Sequence, residues 1–103
     1  MEARFAVIFT SLRTEGDHGY DATSDELERR VKDQPGFVSI ESARSADGTG
    51  ITVSYWSSLE AIAAWKAVPF HQEAQSRGRT EWYQRYRVRV CRIEREYGFP
   101  AGD

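Results

Sequence analysis

The spacing of apolar residues changes several times along the chain, and each change marks an element. Arg4 to Leu12 is rich in β-branched and aromatic residues, with Phe5, Val7 and Phe9 on one face of a strand and Ala6, Ile8 and Thr10 on the other. Apolar groups on both faces predict a strand that is partly buried on each side. Arg13 to Tyr20 contains two glycines and predicts a loop. Thr23 and Glu26 then have the spacing of a capping box, with acids in the first turn, so a helix is expected from this point. Leu27 and Val31 would be its narrow apolar stripe. Gln34-Pro35-Gly36 ends it, because proline cannot continue a helix and glycine accepts a positive φ.

Phe37 to Arg44 alternates as a strand, Asp47-Gly48 is a hairpin turn signal, and Ile51 to Trp56 is the returning strand. On that strand Ile51, Val53 and Tyr55 share one face, and Thr52, Ser54 and Trp56 the other. Ser57 and Glu60 have the spacing of a second capping box. It opens a helix over Leu59 to Val68 with Leu59, Ile62, Ala63 and Trp65 at helical spacing. Pro69 breaks or kinks this helix. Phe70 to Arg77 can add another turn or two before Gly78, and Thr80 to Tyr83 a short helical turn. A long strand is expected from Tyr86 to Glu96, with Tyr86, Val88 and Val90 inward and Arg85, Arg87 and Arg89 opposite. Beyond Val90 the apolar positions move to Cys91 and Ile93, which predicts a bulge or a change of burial at that end.

The order β-α-β-β-α-β is the ferredoxin-like plan, an α+β fold with one antiparallel sheet and both helices on one of its faces. The other face would be bare in a single copy, although it carries apolar groups. A homodimer formed sheet to sheet is the expected cover. One domain over residues 1–97 and a tail over 98–103 account for the 103 residues.

Charge narrows the partners. Fourteen basic residues against sixteen acidic ones leave a net charge of −2, which argues against a nucleic-acid partner and gives no reason to expect an anionic membrane surface. No apolar run approaches the roughly 18 residues of a membrane span. The apolar part of the first residues is too short for a signal peptide. The single cysteine, Cys91, cannot close an internal disulfide, so a reducing cytoplasm is expected. Twelve of the fourteen basic residues are arginine, a supply of bidentate donors for carboxylates.

The candidate chemistry lies in Tyr55 to Val90, where Trp56, Trp65, Trp82, Tyr83 and Tyr86 surround His71. A histidine near a helix start can act as base on an acidic phenol, because its pKa lies near neutrality. A solvent-facing, merely hydrogen-bonded histidine is the plainer reading. His71 and Tyr83 are the catalytic candidates, and Tyr55, Trp65, Arg79, Trp82 and Tyr86 the substrate-binding ones. Core packing competes for Trp65, core or dimer contact for Trp82, Tyr83 and Tyr86, and pairing with Glu73 or Glu81 for Arg79. Two histidines with no clustered carboxylate make no metal site. The serines lack a neighbouring base and there is no glycine-rich phosphate loop, so hydrolase and nucleotide chemistry are not expected.

Tyr55-Trp56-Ser57, Ala64-Trp65-Lys66, His71, Ala74-Gln75, Gly78-Arg79, Trp82-Tyr83, Tyr86, Arg89-Val90 and Glu94 to Tyr97 follow one family pattern. Gln34 to Phe37 and Glu41 to Arg44 extend it upstream. On these residues the chain resembles the antibiotic biosynthesis monooxygenase family of dimeric α+β barrels, over nearly its whole length. The resemblance implies the fold and the dimer. It implies less about the reaction, because the superfamily also includes haem degraders, isomerases and members without assigned activity. The haem-degrading branch uses a first-strand asparagine, a tryptophan on the second helix and a histidine about ten residues further on. Trp65 matches the tryptophan, but Gln75 occupies the histidine position and the first strand has no asparagine, so no haem is expected. The cofactor-independent branch implies direct reaction of dioxygen with an aromatic or polyketide-like substrate. His71 would be the base, and Trp65, Tyr55 and Tyr83 would wall the pocket. A non-catalytic small-molecule binder or stress-related dimer of the same fold is the alternative.

Overall fold

The computed structural model describes residues 2–100; the last three residues of the expected tail, 101–103, lie outside the described residues. Four strands, β1 (Phe5–Arg13), β2 (Phe37–Arg44), β3 (Thr49–Trp56) and β4 (Tyr83–Arg92), form one antiparallel sheet in the order β2-β3-β1-β4. Three helices, α1 (Tyr20–Val31), α2 (Leu59–Lys66) and α3 (Pro69–Arg77), and a wide π-type turn at Gly78–Trp82 complete the order β-α-β-β-α-α-β. This is the ferredoxin-like α+β plan, with the second helix divided in two.

The division falls at Pro69, the first residue of α3, whose missing N–H costs nothing at a helix start. α2 is capped by Ser58 rather than Ser57: the Ser58 hydroxyl accepts the Ala61 N–H at 3.1 Å. α1 also departs from expectation. It begins at Tyr20, so Thr23 lies inside its first turn. The Asp17 carboxylate accepts the N–H groups of Gly19 (2.9 Å) and Asp21 (3.1 Å), and Gly19 turns the chain in at φ +83°. An acid before the helix thus accepts N–H groups at the helix start, six residues ahead of Thr23 of the apparent capping box.

Cross-strand pairing sets the faces. Val7 lies opposite Ser54 and Val90, Phe9 opposite Thr52 and Val88, and Ser11 opposite Gly50 and Tyr86. Val7 packs against the helices' core cluster, so these rows all stand on the helix-covered face. Its core is Trp56, Trp65 and Val31, ringed by Val7, Leu27, Phe37, Ala61, Ile62 and Val68. Gly36 lets the chain pass beneath α2, since a Cβ there would stand 2.4 Å from the Ala61 Cβ, and its φ of +85° suits glycine alone. The opposite face carries Ala6, Ile8 and Thr10 of β1, Ile51, Val53 and Tyr55 of β3, and Arg85, Arg87, Arg89 and Cys91 of β4.

Of the two alternatives expected beyond Val90, the bulge is absent and the change of burial is present: Val90 is exposed, whereas Cys91 and Ile93 are half-buried. β4 pairs with β1 without interruption from Arg85 to Arg92, which makes Cys91 a residue of the bare face beside Ala6. The shift occurs at the other end, between Leu12 and Arg13, where Gln84 is passed over. This bulge brings Tyr83 and Tyr86 to the same face although their numbers differ in parity. Both rings stand 5.3 Å from Phe9.

Candidate active site

The site residues expected from sequence fall into three places. The first is the turn between α2 and α3. His71, in the first turn of α3, stacks on Trp65 of α2 with ring centroids 4.5 Å apart and planes 21° apart. Its Nδ1 lies 3.1 Å from the Trp65 carbonyl oxygen. A carbonyl can only accept, so Nδ1 carries the proton and Nε2 keeps a free lone pair. Burial lowers the imidazole pKa below its ordinary 6.5 and the Lys66 charge lowers it further, while the carbonyl hydrogen bond opposes both. At neutral pH the ring is therefore an uncharged base of fixed tautomer. It is anchored to a tryptophan that belongs to the core cluster.

The second place is the far end of the helix-covered face. Tyr83, Tyr86 and Phe9 pack there as a triangle of rings, with Tyr83 and Tyr86 5.9 Å apart. The Tyr83 hydroxyl lies 3.4 Å from the hydroxyl of Tyr20, at the start of α1. Burial, and then the Tyr20 contact, push the Tyr83 phenol far above its ordinary range, so it stays protonated. Arg79 extends from the π-type turn, and its Nη1 donates to the Tyr86 hydroxyl at 3.4 Å. Glu81, the competing partner expected for Arg79, is paired with Arg77 at 2.7 Å instead. Trp82 is enclosed behind this group: its Nε1 donates to the His18 carbonyl at 3.0 Å, and Arg77 covers its ring at 4.6 Å. That position makes Trp82 a support of the loop before α1, set apart from the open surface.

The third place is on the opposite side of the sheet. Tyr55 pairs with Ala6 and faces away from the helices, and its hydroxyl donates to Glu41 at 2.7 Å. That hydrogen bond raises its phenol pKa, with burial adding to it. The structure thus separates Tyr55 from Trp65 and His71 by the thickness of the sheet.

Between the first two places the helix-covered face is not fully covered. Val88 and Val90 point toward the helices, yet they are 47% and 50% exposed. Val90 stands beside Val7, whose other neighbours are the Trp56–Trp65 cluster, and Val88 stands beside Phe9. Together they leave a half-exposed apolar strip along β4, an open slot on the helix-covered face.

Sequence reasoning missed Tyr20, Ser11 and Arg44 at the slot's polar end. Arg44 donates to the buried Ser11 hydroxyl (3.0 Å) and to Tyr20 (3.4 Å), and Arg13 lies 3.7 Å over the Tyr20 ring. A buried serine inside an otherwise apolar strand was the one available signal. Among the described residues no group of three potential ligands could hold a metal ion, and no helix is long and apolar enough to cross a membrane.

Known proteins are similar to this chain in sequence or in fold. The uncharacterized protein YqjZ of Bacillus subtilis is 48% identical over 92 residues, covering 89% of this chain and 81% of the relative. Rv0793 from Mycobacterium tuberculosis superposes with a TM-score of 0.80 at 16% identity, over 93% of this chain and 100% of that one. SnoaB, a cofactor-independent oxygenase from Streptomyces nogalater, superposes with a TM-score of 0.72 at 13% identity, over 96% and 99% of the two chains. At such identities the two structures establish the fold alone. The model of the antibiotic biosynthesis monooxygenase family matches residues 4–77, from β1 to the end of α3, and with that match the chain belongs to the antibiotic biosynthesis monooxygenase family.

Proposed function

We propose that this protein is a cofactor-independent monooxygenase that oxidises an electron-rich aromatic or polyketide-like small molecule, and that it works as a cytoplasmic homodimer. The observation that carries the reading is the uncharged His71 stacked on Trp65, on the same side of the sheet as the half-exposed Val88 and Val90. A neutral imidazole with its Nε2 lone pair free is the form of histidine that can take a proton from an acidic phenol or an activated methylene. The anion left behind is electron-rich enough to reduce dioxygen directly. One oxygen atom enters the substrate as a carbonyl and the other leaves as water, with the two methylene hydrogens. All four electrons come from the substrate, so no external reductant is needed. The slot's apolar floor would exclude water from the intermediate. Arg79 and the Tyr86 hydroxyl, which it already contacts, would receive the substrate's oxygen substituents. The cofactor-independent oxygenase activity of SnoaB, a structural relative, supports the same direction.

The homodimer is supported by the sheet's bare face, where Ile8, Ile51 and Val53 stand without a covering layer. A non-catalytic binder of the same ligands is the second reading. It is favoured by Tyr83, whose hydroxyl is spent on Tyr20 and whose phenol is held neutral, leaving His71 as the lone base at the slot.

Oxygen consumption with a panel of anthrones and hydroquinones separates the two. The wild type is expected to consume oxygen above buffer, and His71→Ala to lose at least about tenfold of that rate, within the usual contribution of a general base. Ligand-induced fluorescence quenching of Trp65 without oxygen uptake in either protein would leave the binder.

A further inference from the structure

At one end of the helix-covered face two arginines, Arg13 and Arg44, have no carboxylate partner among the described residues. Ser11 lies beneath them and is 7% exposed, the one buried polar residue of the described chain. It belongs to the row Tyr86–Ser11–Gly50 that crosses β4, β1 and β3. Gly50 brings no side chain to that row, and the Arg44 guanidinium takes the place: a Cβ on Gly50 would stand 2.4 Å from its Cζ. There Arg44 donates to the Ser11 hydroxyl at 3.0 Å, to the Tyr20 hydroxyl at 3.4 Å and to the Gly48 carbonyl. All these acceptors are neutral, and they engage three of the five guanidinium N–H groups. Neutral acceptors fix the fork without cancelling its charge. Arg13, 3.7 Å over the Tyr20 ring, likewise donates to backbone carbonyls alone. The Tyr83 phenol, kept protonated by burial, adds no negative charge to this end.

The same face leads from this cation to the apolar strip on β4. The row Val88–Phe9–Thr52 is the next row to Tyr86–Ser11–Gly50. By strand rise and strand spacing, Gly50 and Val88 are roughly 12 Å apart, the length of three fused aromatic rings with one substituent. Arg44 is itself exposed, so a ligand on the strip can reach it.

We infer that Arg44 is a specificity-determining cation: held over Gly50 by Ser11 and Tyr20, it pairs with a carboxylate substituent on an aromatic ligand whose rings lie along Val88 and Val90. This rests on the reading of that strip as a ligand site and adds the charge of the ligand. A guanidinium fork already fixed in place loses little freedom when a carboxylate joins it, and the pair is charge-assisted.

Tryptophan fluorescence titration with two probes of one ring system tests it: anthraquinone-2-carboxylate and the uncharged 2-(hydroxymethyl)anthraquinone. The wild type is expected to bind the carboxylate about tenfold tighter or more, within the range of a hydrogen bond to a charged group. Arg44→Gln, with circular dichroism confirming its fold, should abolish that ratio by weakening the carboxylate alone. Gly50→Ala, whose methyl displaces the guanidinium without removing its charge, should lower the ratio in the same direction and serves if Arg44→Gln does not fold. Equal affinity of the wild type for the two probes would overturn the inference. So would a ratio that survives Arg44→Gln, and its loss in Arg79→Gln instead would make Arg79 the receptor. Binding of neither probe would overturn the ligand site and this inference together. Oxygen uptake with an uncharged anthrone, without any carboxylate preference, would keep the oxygenase and remove the inference. A full preference with no oxygen uptake would keep the inference and leave the binder.

Discussion

The two halves of the helix-covered face are built from the same kind of strand but treated differently. Over β3 and the near side of β1, α1 and α2 close down on Trp56, which is 1% exposed, and Trp65 lies in the same cluster. Over β4, the valines at 88 and 90 occupy equivalent inward positions and remain about half exposed. Apolar area is removed from water in the first half and left available in the second. The closed half should therefore carry stability and the open half ligand affinity, and substitutions in the two should part these properties.

The largest effect belongs to the closed half. Trp56 fills the centre of the cluster, edge-on to Phe37 at 5.5 Å, with its Nε1 donating to the Ser54 hydroxyl at 2.9 Å. Trp56→Ala removes that ring and leaves a cavity, at a cost of about 3–5 kcal/mol. Domains of this size hold roughly 5–15 kcal/mol in all, so the variant should lose much of its margin. Thermal denaturation followed by circular dichroism should show a fall of well over about 10 °C. A fall of only a few degrees would mean that the helices do not depend on this cluster.

Gly36→Ala acts at the edge of the same half. The new methyl would press on Ala61, a helix residue backed by the core, and the positive φ adds strain. A loss of about 1–3 kcal/mol is expected, read as a lower urea midpoint with an unchanged slope. Gly50→Ala offers an internal contrast. Its methyl would meet the Arg44 guanidinium, the far end of a flexible side chain that can shift by loosening its hydrogen bonds to Ser11 and Tyr20, and Gly50 has no positive φ to strain, so its cost should be the smaller of the two.

The same contrast between closed and open regions explains what the sequence made legible. Element order, the Asp47-Gly48 hairpin and the inward set Tyr86, Val88 and Val90 follow from local chemistry and strand period. The start of α1 does not, because the Thr23–Glu26 spacing copies a cap while Asp17, two residues before the turn glycine, supplies the real one. The alternation on β3 showed that Tyr55 and Trp56 oppose each other. With apolar groups on both sides it could not show which of them meets the helices. That depends on pairing between segments far apart in the chain, Phe5 with Trp56, as does the bulge at Gln84 that unites Tyr83 with Tyr86, set by the pairing of Arg13 with Tyr83. For the candidate site, the histidine and its tryptophan were visible as residue types, but their stacking arises from the break at Pro69. Glu81 lies four residues after Arg77, the standard helical pairing distance, and this was the readable clue that Arg79 would be left to Tyr86.

His71 is stacked on Trp65 of the closed half, and its titration measures how buried that position is. Its folded pKa lies below the ordinary value of 6.5, mainly because burial penalises the charged ring. In the window between the folded value and 6.5 the unfolded chain binds more proton than the folded one, so stability rises with pH there and is lost as pH falls through it. Melting temperatures taken between about pH 7.5 and about pH 5 should show that slope, and His71→Gln should flatten it. An unchanged slope in the variant would place the imidazole in water and weaken its assignment as a positioned base.

The smallest effect on stability is the sharpest test of the comparison. Val7 and Val90 are directly paired neighbours on one face, yet Val7 packs against the Trp56–Trp65 cluster and Val90 looks into the slot. Replacing each by threonine changes shape little and adds one hydroxyl. At Val7 the hydroxyl enters the core beside Ser54, whose oxygen already accepts from Trp56, at a cost of about 1–3 kcal/mol. At Val90 it reaches water, so the cost should stay below about 1 kcal/mol. If the slot takes an apolar aromatic ligand, the order reverses for binding: Val90→Thr should weaken it through a higher KM, whereas folded Val7→Thr should bind nearly as the wild type. Equal stability losses at the two positions would show that the slot is closed in solution, and the division of labour between the halves would fall with it.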